Sequence, residues 1–318
     1  QKESCLRIIG GISHKLVNKK TSVYNQIEPF LGTFVVPNFK SKFAFLRART
    51  CEIVAKFDTF EFNDQSVLNA IFQGVMNCFN ESDFLPVQLE GALAIQSFMS
   101  FDQFKEALGA IIVDTMEKLL NLSNKIDTDA ISGVIQECVE NYSEQLQPFG
   151  THLMSKLSEQ LLRILTELKE ASNSDPDNYT DDIGDYSEKH SAAMGVFNTM
   201  VTVLLYFENS VEIISKLEEY YVPVLNFALQ NRLDDFYAEI SELIENTTFL
   251  TRSVSPAMWS LFPSLMDNLI NGDVTIYLDD CIAALKNYLI YGNTELRLNT
   301  QYQQLYINLI NSIFNPYL

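Results

Sequence analysis

Apolar residues recur along this chain at helical intervals. Phe149, Leu153, Leu157, Leu161, Ile164 and Leu168 fall at steps of three and four, the spacing that lines one face of an α-helix. The same period returns in Val67, Leu68, Ile71, Val75, Met76 and Phe79, and in Ile131, Val134, Ile135, Cys138, Val139 and Tyr142. It returns again in Ala193, Val196, Phe197, Met200, Val201, Leu204 and Phe207, then in Phe236, Ile240, Leu243 and Ile244, and in Met258, Trp259, Phe262, Leu265, Met266 and Leu269. Strand-like alternation is absent, and each periodic segment outruns an ordinary strand. Punctuation agrees with helices. Gly10-Gly11 ends a first one, Pro37 closes a short apolar helix over 23–36, and Asp64 precedes another. Pro86, Pro148 and Pro256 stand at first helical positions, and Asp234 or Asp235 caps the helix carrying Phe236. Residues 103–122 read as one long helix, and 275–290 and 300–314 complete the set.

The helices come in pairs. If the second helix of each pair is called B, the B helices start near residues 44, 86, 127, 188, 234 and 274, at intervals of about 40 to 47 residues with one exception near 61. Two helices per unit of this length is the pattern of HEAT repeats, whose hairpins bury their apolar faces only by stacking. The expected fold is therefore all-α, a right-handed α-solenoid of about seven HEAT-like units; a compact all-helical domain is the alternative. In Leu85-Pro86-Val87-Gln88-Leu89-Glu90-Gly91-Ala92 a proline opens a helix, and the small Ala92 lets helices pack closely.

The exceptional interval holds the most polar stretch. Residues 170–188 read EASNSDPDNYTDDIGDYSE, with seven carboxylates and no lysine or arginine, too polar to repay ordering by packing. A mobile acidic loop over 171–187, inserted within one repeat of a continuous array running from 1–170 into 188–318, is the expected organisation. Its acids could steer a Lys/Arg-rich partner, or form a solvated insertion of no consequence; their spacing does not match an EF-hand.

Charge sharpens this picture. The formal net charge is −19, yet the first sixty residues carry ten Lys or Arg against four Asp or Glu, so the body of the chain is strongly acidic. Such a body disfavours nucleic acid and anionic membranes and favours basic proteins. The five cysteines are scattered in apolar helical contexts and read as buried thiols in a reducing compartment, and the sequons at Asn80, Asn121, Asn178 and Asn246 as chance matches. There is no signal peptide and no uncharged run of membrane-spanning length. The helical pattern at Gln1 and the abrupt end after Pro316-Tyr317-Leu318 suggest a piece of a longer protein. His14, His152 and His190 are far apart, and HExxH, P-loop and dinucleotide signatures are missing, so neither catalysis nor a cofactor or metal is expected.

Several landmarks carry a family resemblance. They are Phe45-Leu46-Arg47-Ala48-Arg49-Thr50-Cys51, Leu85-Pro86-Val87 with Glu90-Gly91-Ala92-Leu93-Ala94-Ile95-Gln96, and Val134-Ile135-Gln136 with Tyr142-Ser143-Glu144. They continue through Ala192-Ala193-Met194-Gly195-Val196-Phe197-Asn198-Thr199, Asp235-Phe236-Tyr237 and Val254-Ser255-Pro256-Ala257-Met258-Trp259. In order and spacing these residues resemble a central stretch of the importin-β superfamily, in the importin-7 and importin-8 branch with its fungal relatives. The resemblance implies a nuclear transport receptor that shuttles between cytoplasm and nucleus. It would bind basic cargo such as ribosomal or histone-like proteins, contact Phe-Gly nucleoporins in the pore, and release cargo to Ran-GTP. Ran binding would belong to the full-length receptor, since the amino-terminal repeats are not represented. A HEAT scaffold without Ran coupling and an exporter are the other readings.

Two sets of acids are candidates for a basic partner. The first is the acidic stretch, Glu170, Asp175, Asp177, Asp181, Asp182, Asp185 and Glu188. The second lies on B helices, which line the concave face of related solenoids: Glu137, Glu140, Asp234, Asp235, Glu239, Glu242, Asp279 and Asp280. Each has ordinary helix-surface solubility as its competing reading. Arg47 and Arg49 are expected to support packing between repeats or to pair with helix carboxylates.

Overall fold

A computed structural model describes residues 1–81, 83–172, 183–208, 210–272 and 274–314. It is all-α among these residues and falls into two compact units, Gln1–Ile126 and Asp127–Leu318. The first unit holds α1 (Lys2–Gly11), α2 (Ser13–Leu16), α3 (Ile27–Phe30), α4 (Ala44–Ala55), α5 (Gln65–Phe79), α6 (Leu85–Met99), α7 (Asp102–Gly109) and α8 (Ile112–Ser123). The second holds α9 (Asp129–Leu146), α10 (Gly150–Ser172), α11 (Ile183–Tyr206), α12 (Val211–Gln230), α13 (Tyr237–Thr251), α14 (Pro256–Asn271), α15 (Val274–Tyr291), α16 (Asn293–Leu298) and α17 (Thr300–Phe314).

Within the second unit the helices stack in two rows. B helices α9, α11, α13 and α15 pack successively side by side, and α10, α12, α14 and α17 do the same in the other row. In the first unit α1, α4 and α6 form the corresponding B row, with α5 against α4 and α6. This is helix-pair packing of the HEAT/ARM type, as the repeat interval predicts. The periodic residues are the core: Leu153, Leu157, Leu161, Ile164, Val196, Phe197, Met200, Ile240, Leu243 and Leu265 are buried almost completely. Trp259 closes the α14–α15–α17 contact, its ring stacked on Tyr302 at 4.9 Å and packed on Phe262 and Tyr288.

Because each row helix is walled on several sides, polar side chains are buried with the apolar ones, and most bond to a neighbour. Ser97 Oγ donates to the Ala55 carbonyl at 3.2 Å, joining α6 to α4. Gln136 Nε2 donates to Thr202 Oγ1 at 2.9 Å between α9 and α11, and Ser241 Oγ to Cys281 Sγ at 3.1 Å between α13 and α15. Asn287 Nδ2 reaches the Glu245 carbonyl at 3.0 Å, and Asn268 Nδ2 reaches the Leu229 carbonyl at 2.8 Å across the other row. Arg47 and Arg49 serve packing in the same way. Arg47 holds Glu81 and donates to the Ser41 carbonyl, while Arg49 Nε meets Glu3 of α1 at 2.8 Å.

Several local expectations are corrected. The long helix expected over 103–122 is two helices, because Ile111 leaves helical geometry (φ −121°, ψ 15°) after the weak helix former Gly109. Leu108 and Ile112, on either side of the break, are both buried. Pro37 does not end the 23–36 segment: the chain passes from α3 through a π turn, Leu31–Val35, into a 3₁₀ stretch, Val36–Lys40, where proline sits in a first turn that needs no N–H. At the acidic stretch α10 runs on to Ser172 and α11 begins at Ile183, so residues 171–172 and 183–187 are helical. The rest of that stretch lies outside the described residues. Ala92 is fully buried, but the closest approach belongs to its neighbour. A β-carbon on Gly91 would stand 2.5 Å from the Phe79 amide nitrogen of α5.

That contact sets a test of the packing. Gly91→Ala must push α5 away from α6, so urea unfolding should show a loss of about 1–3 kcal/mol with far-ultraviolet helicity retained. An unchanged unfolding midpoint would show that the helices separate at no cost.

Candidate functional site

Three consecutive B helices begin at one end of the second unit, and the turn that starts the middle one is held firmly. After α12 ends at Gln230, Arg232 takes a left-handed conformation (φ 53°), and the Leu233 amide bonds back to the Ala228 carbonyl at 3.1 Å. This is a helix-terminating turn of the kind usually given to glycine or asparagine. It throws the chain into a 3₁₀ turn, Asp234–Phe236, that leads into α13. Phe236, 2% exposed, anchors the turn between His190, stacked on it at 4.9 Å, and Phe197 at 5.7 Å, both from α11.

With Phe236 seated inward, Asp234 and Asp235 face outward. Neither caps α13 by its side chain, contrary to the sequence expectation, because the 3₁₀ turn shifts the helix start to Tyr237 and leaves Phe236 at the cap position. Tyrosines of the flanking B helices meet them instead. Tyr277 of α15 donates its hydroxyl to Asp234 Oδ2 at 2.8 Å, and Tyr186 of α11 donates to Asp235 Oδ2 at 3.4 Å. Tyr237 packs edge-on against Tyr277 at 5.1 Å.

Glu239 follows in the first turn of α13 and is only 8% exposed. Its Oε2 is sealed from solvent with no hydrogen-bond partner. Burial pushes its carboxyl above the ordinary range; its own backbone N–H and nearby His190 oppose that shift, whereas Glu242 and Asp280 reinforce it. Glu242, one turn further along α13, is exposed, as are Asp279 and Asp280 of α15 and Glu188 of α11. The neighbouring cations have carboxylates of their own: Arg232 pairs with Asp267 at 3.0 Å and Lys189 with Glu167 at 3.1 Å.

The structure thus gathers Asp234, Asp235, Glu239 and Glu242 with Asp280 and its neighbour Asp279, and Glu188 lies on the first turns of adjacent α11. It does not bring Glu137, Glu140 and Glu170 there. Glu140 lies farther along α9 and lines, with Thr202, Leu205, Tyr206 and Glu208, an open groove of about 460 Å³. Glu137 is half-buried one turn before it, and Glu170 is exposed near the end of α10. Asp185 falls within α11, while Asp175, Asp177, Asp181 and Asp182 lie outside the described residues.

The aromatic partners Tyr186, His190, Tyr237 and Tyr277 were not anticipated. The available signal was a tyrosine within three residues of an acidic side chain at each of the three B starts: Tyr186 with Glu188, Tyr237 with Asp235, Tyr277 with Asp279. Among the described residues no group of His, Cys, Asp and Glu is arranged to hold a metal ion, and no helix is long and apolar enough to cross a membrane. What the arrangement offers is exposed carboxylates beside tyrosine side chains, a chemistry that suits cationic groups.

Comparison with known proteins gives this surface a setting. The chain is 44% identical over 310 residues to a Saccharomyces cerevisiae protein named nonsense-mediated mRNA decay protein 5, covering 96% of this chain and 30% of that protein. It is 27% identical over 314 residues to importin-8 of Mus musculus, covering 98% of this chain and 29% of the relative. It is 22% identical over 292 residues to an importin beta-like SAD2 homolog of Arabidopsis thaliana. The chain spans about three-tenths of the length of these curated relatives. No family model matches, and no solved structure matches. The chain is homologous to importin-β-like, HEAT-repeat proteins.

The state of Glu239 makes a pH prediction. A carboxyl whose pKa is raised by folding contributes stability that is full below the ordinary carboxylate range and lost as pH rises through the raised value. Glu239→Gln removes the ionisation, so wild type and variant should unfold at nearly equal urea concentration near pH 4. The variant should be the more stable by about 1 kcal/mol near pH 8. A pH-independent difference would show that Glu239 finds a partner.

Proposed function

We propose that this chain is a cargo-recognition segment of a nuclear transport receptor of the importin-7 and importin-8 kind, and that the acidic, tyrosine-lined end of the α11–α13–α15 row engages Lys/Arg-rich protein cargo. The receptor takes cargo in the cytoplasm, crosses the pore on Phe-Gly nucleoporins and releases cargo in the nucleus to Ran-GTP. The chain's own chemistry is recognition, not bond making. The observation that carries this reading is the gathering of carboxylates from two successive B helices on one surface, beside Arg232 and Lys189, which pair with Asp267 and Glu167. Relatives named importin, matched along nearly the whole chain, supply the transport setting.

Opposite charge steers encounter and falls off with salt, and aromatic faces add attraction that salt screens less. A surface of this kind tolerates varied basic sequences, as a receptor for several cargoes requires.

Two measurements test the reading. Reversing charge at Asp234, Asp235, Glu242 and Asp280 together should weaken binding of a Lys/Arg-rich peptide by about tenfold or more near 0.1 M salt and flatten its salt dependence. An equal loss from reversing Glu140 and Glu208 would place the interaction elsewhere. In the intact protein, Ran-GTP but not Ran-GDP should release bound cargo. Tighter retention with Ran-GTP would assign export, and indifference to both would leave a scaffold.

A further inference from the structure

The first unit carries an open groove of about 250 Å³. One wall is Ile9, Ile12 and Leu16 of α1 and α2; the other is Val23, Ile27 and Phe30, in the segment that passes through a 3₁₀ turn, Tyr24–Gln26, into α3. Both walls step by three and four residues, the spacing that brings side chains to one helical face. Phe57, 1% exposed, lines the groove as its base. The chain pins both walls. Ser13 Oγ donates to the Gly10 carbonyl at 3.0 Å where α1 meets α2, Thr21 Oγ1 donates to the Leu16 carbonyl at 3.2 Å in the connector, and Tyr24 packs on Phe60 at 5.1 Å. A groove already set spares its ligand the cost of ordering it.

We infer that this groove binds a short amphipathic helix of a protein partner, with apolar side chains seated between the walls and Asp or Glu residues on its flanks. The inference goes beyond the cargo reading and shares no residue with it. Ile12 and Val23 leave 42% and 38% of their surface exposed at the groove, so an apolar face is available to a ligand. The volume falls below the roughly 300–1,000 Å³ of small-molecule sites, which suits a few anchoring side chains of a larger ligand. Two apolar walls over a buried base match a helix that presents residues at i, i+3 and i+4; a flat bilayer surface does not fill such a shape.

Charge selects the acidic flanks. Lys15 adjoins Leu16 and Lys20 shortly precedes Val23; both are exposed and make no ion pair among the described residues. Nearby acids are mostly engaged elsewhere. Glu28 accepts hydrogen bonds from the backbone amides of Asn63 and Asp64 at 2.8 and 2.7 Å, and Glu61 pairs with Lys19 at 2.6 Å. Asp58, beside Phe57, is exposed. Free lysines therefore outnumber free acids around the groove, in a chain whose net charge is −19. The complementary partner carries carboxylates.

The experiment measures fluorescence anisotropy of synthetic helical peptides with the intact protein. One peptide carries leucine at i, i+3, i+4 and i+7 with glutamate on its flanks, a second has glutamine for glutamate, and a third keeps glutamate but has serine for leucine. The first should bind about tenfold tighter than the second near 0.1 M salt, and the third should not bind. K15E with K20E should remove the preference for glutamate. I12S with V23S, at partly exposed positions, should weaken both leucine peptides. Neither pair should alter binding of a Lys/Arg-rich peptide, which separates this site from the cargo reading, and circular dichroism confirms that helicity is kept. Equal binding of the glutamate and glutamine peptides, a preference that survives K15E with K20E, or no binding at all overturns the acidic-helix site. Self-association lost in I12S with V23S would give the groove to a second copy, and binding to phosphatidylserine vesicles without peptide binding would give it to a membrane; either result also overturns it.

Discussion

Every row helix in this protein depends on its neighbours to cover an apolar face that it cannot cover alone. In the second unit α13 shows the consequence most fully, with α11 on one side, α15 on the other and α12 from the opposite row. Its buried arc takes in Tyr237, Glu239, Ile240, Ser241, Leu243, Ile244, Thr247 and Thr248. An arc that wide does not stop at the apolar stripe. Polar residues are drawn inside, and each needs a partner: Thr247 meets the Tyr221 hydroxyl at 2.6 Å, Thr248 meets Asn287 at 3.1 Å, and Ser241 meets Cys281. Lateral stacking thus fixes both the core and the directional bonds that set one helix against the next. Glu239 Oε2 is left without such a bond.

Most of the fold is legible in the sequence because one period governs both. The i, i+3 and i+4 stripes from Leu153 to Leu168 and from Val196 to Phe207 are the residues the structure buries, and the repeat interval puts B helices where α4, α6, α9, α11, α13 and α15 lie. What escapes the period is local backbone geometry. The break at Ile111 and the 3₁₀ turn at Asp234 depend on how flanking residues seat against other helices, which a single strand of text does not display.

The site is legible in part for a related reason. Carboxylates on B helices are visible as acids, but Glu239 and Glu242 look alike at an i, i+3 spacing, and only packing separates the buried one from the exposed one. The tyrosines were hidden because aromatic residues are abundant and read first as core. Tyr237 is indeed buried, yet it borders the acids, and Tyr186 and Tyr277 bond to them. Packing and the proposed recognition therefore draw on the same residues. Leaving a buried carboxylate oxygen without a partner lowers the stability of the fold.

The hydrogen bonds that join neighbouring row helices also bear on how the chain folds. Ser97 to Ala55, Ser241 to Cys281, Asn287 to Glu245 and Asn268 to Leu229 each span 39 to 42 residues, one repeat in every case. Contacts of such uniform, short separation let a repeat form on its predecessor without waiting for distant chain. Between α9 and α11 the Gln136–Thr202 bond spans 66 residues, because the acidic stretch lies within the loop it closes. Loop-closure entropy grows only logarithmically, at about 0.6 kcal/mol per doubling of length, so the added residues cost well under that amount. Chain length is inexpensive at this junction, and the array can carry an insertion there without disturbing the order in which its repeats assemble.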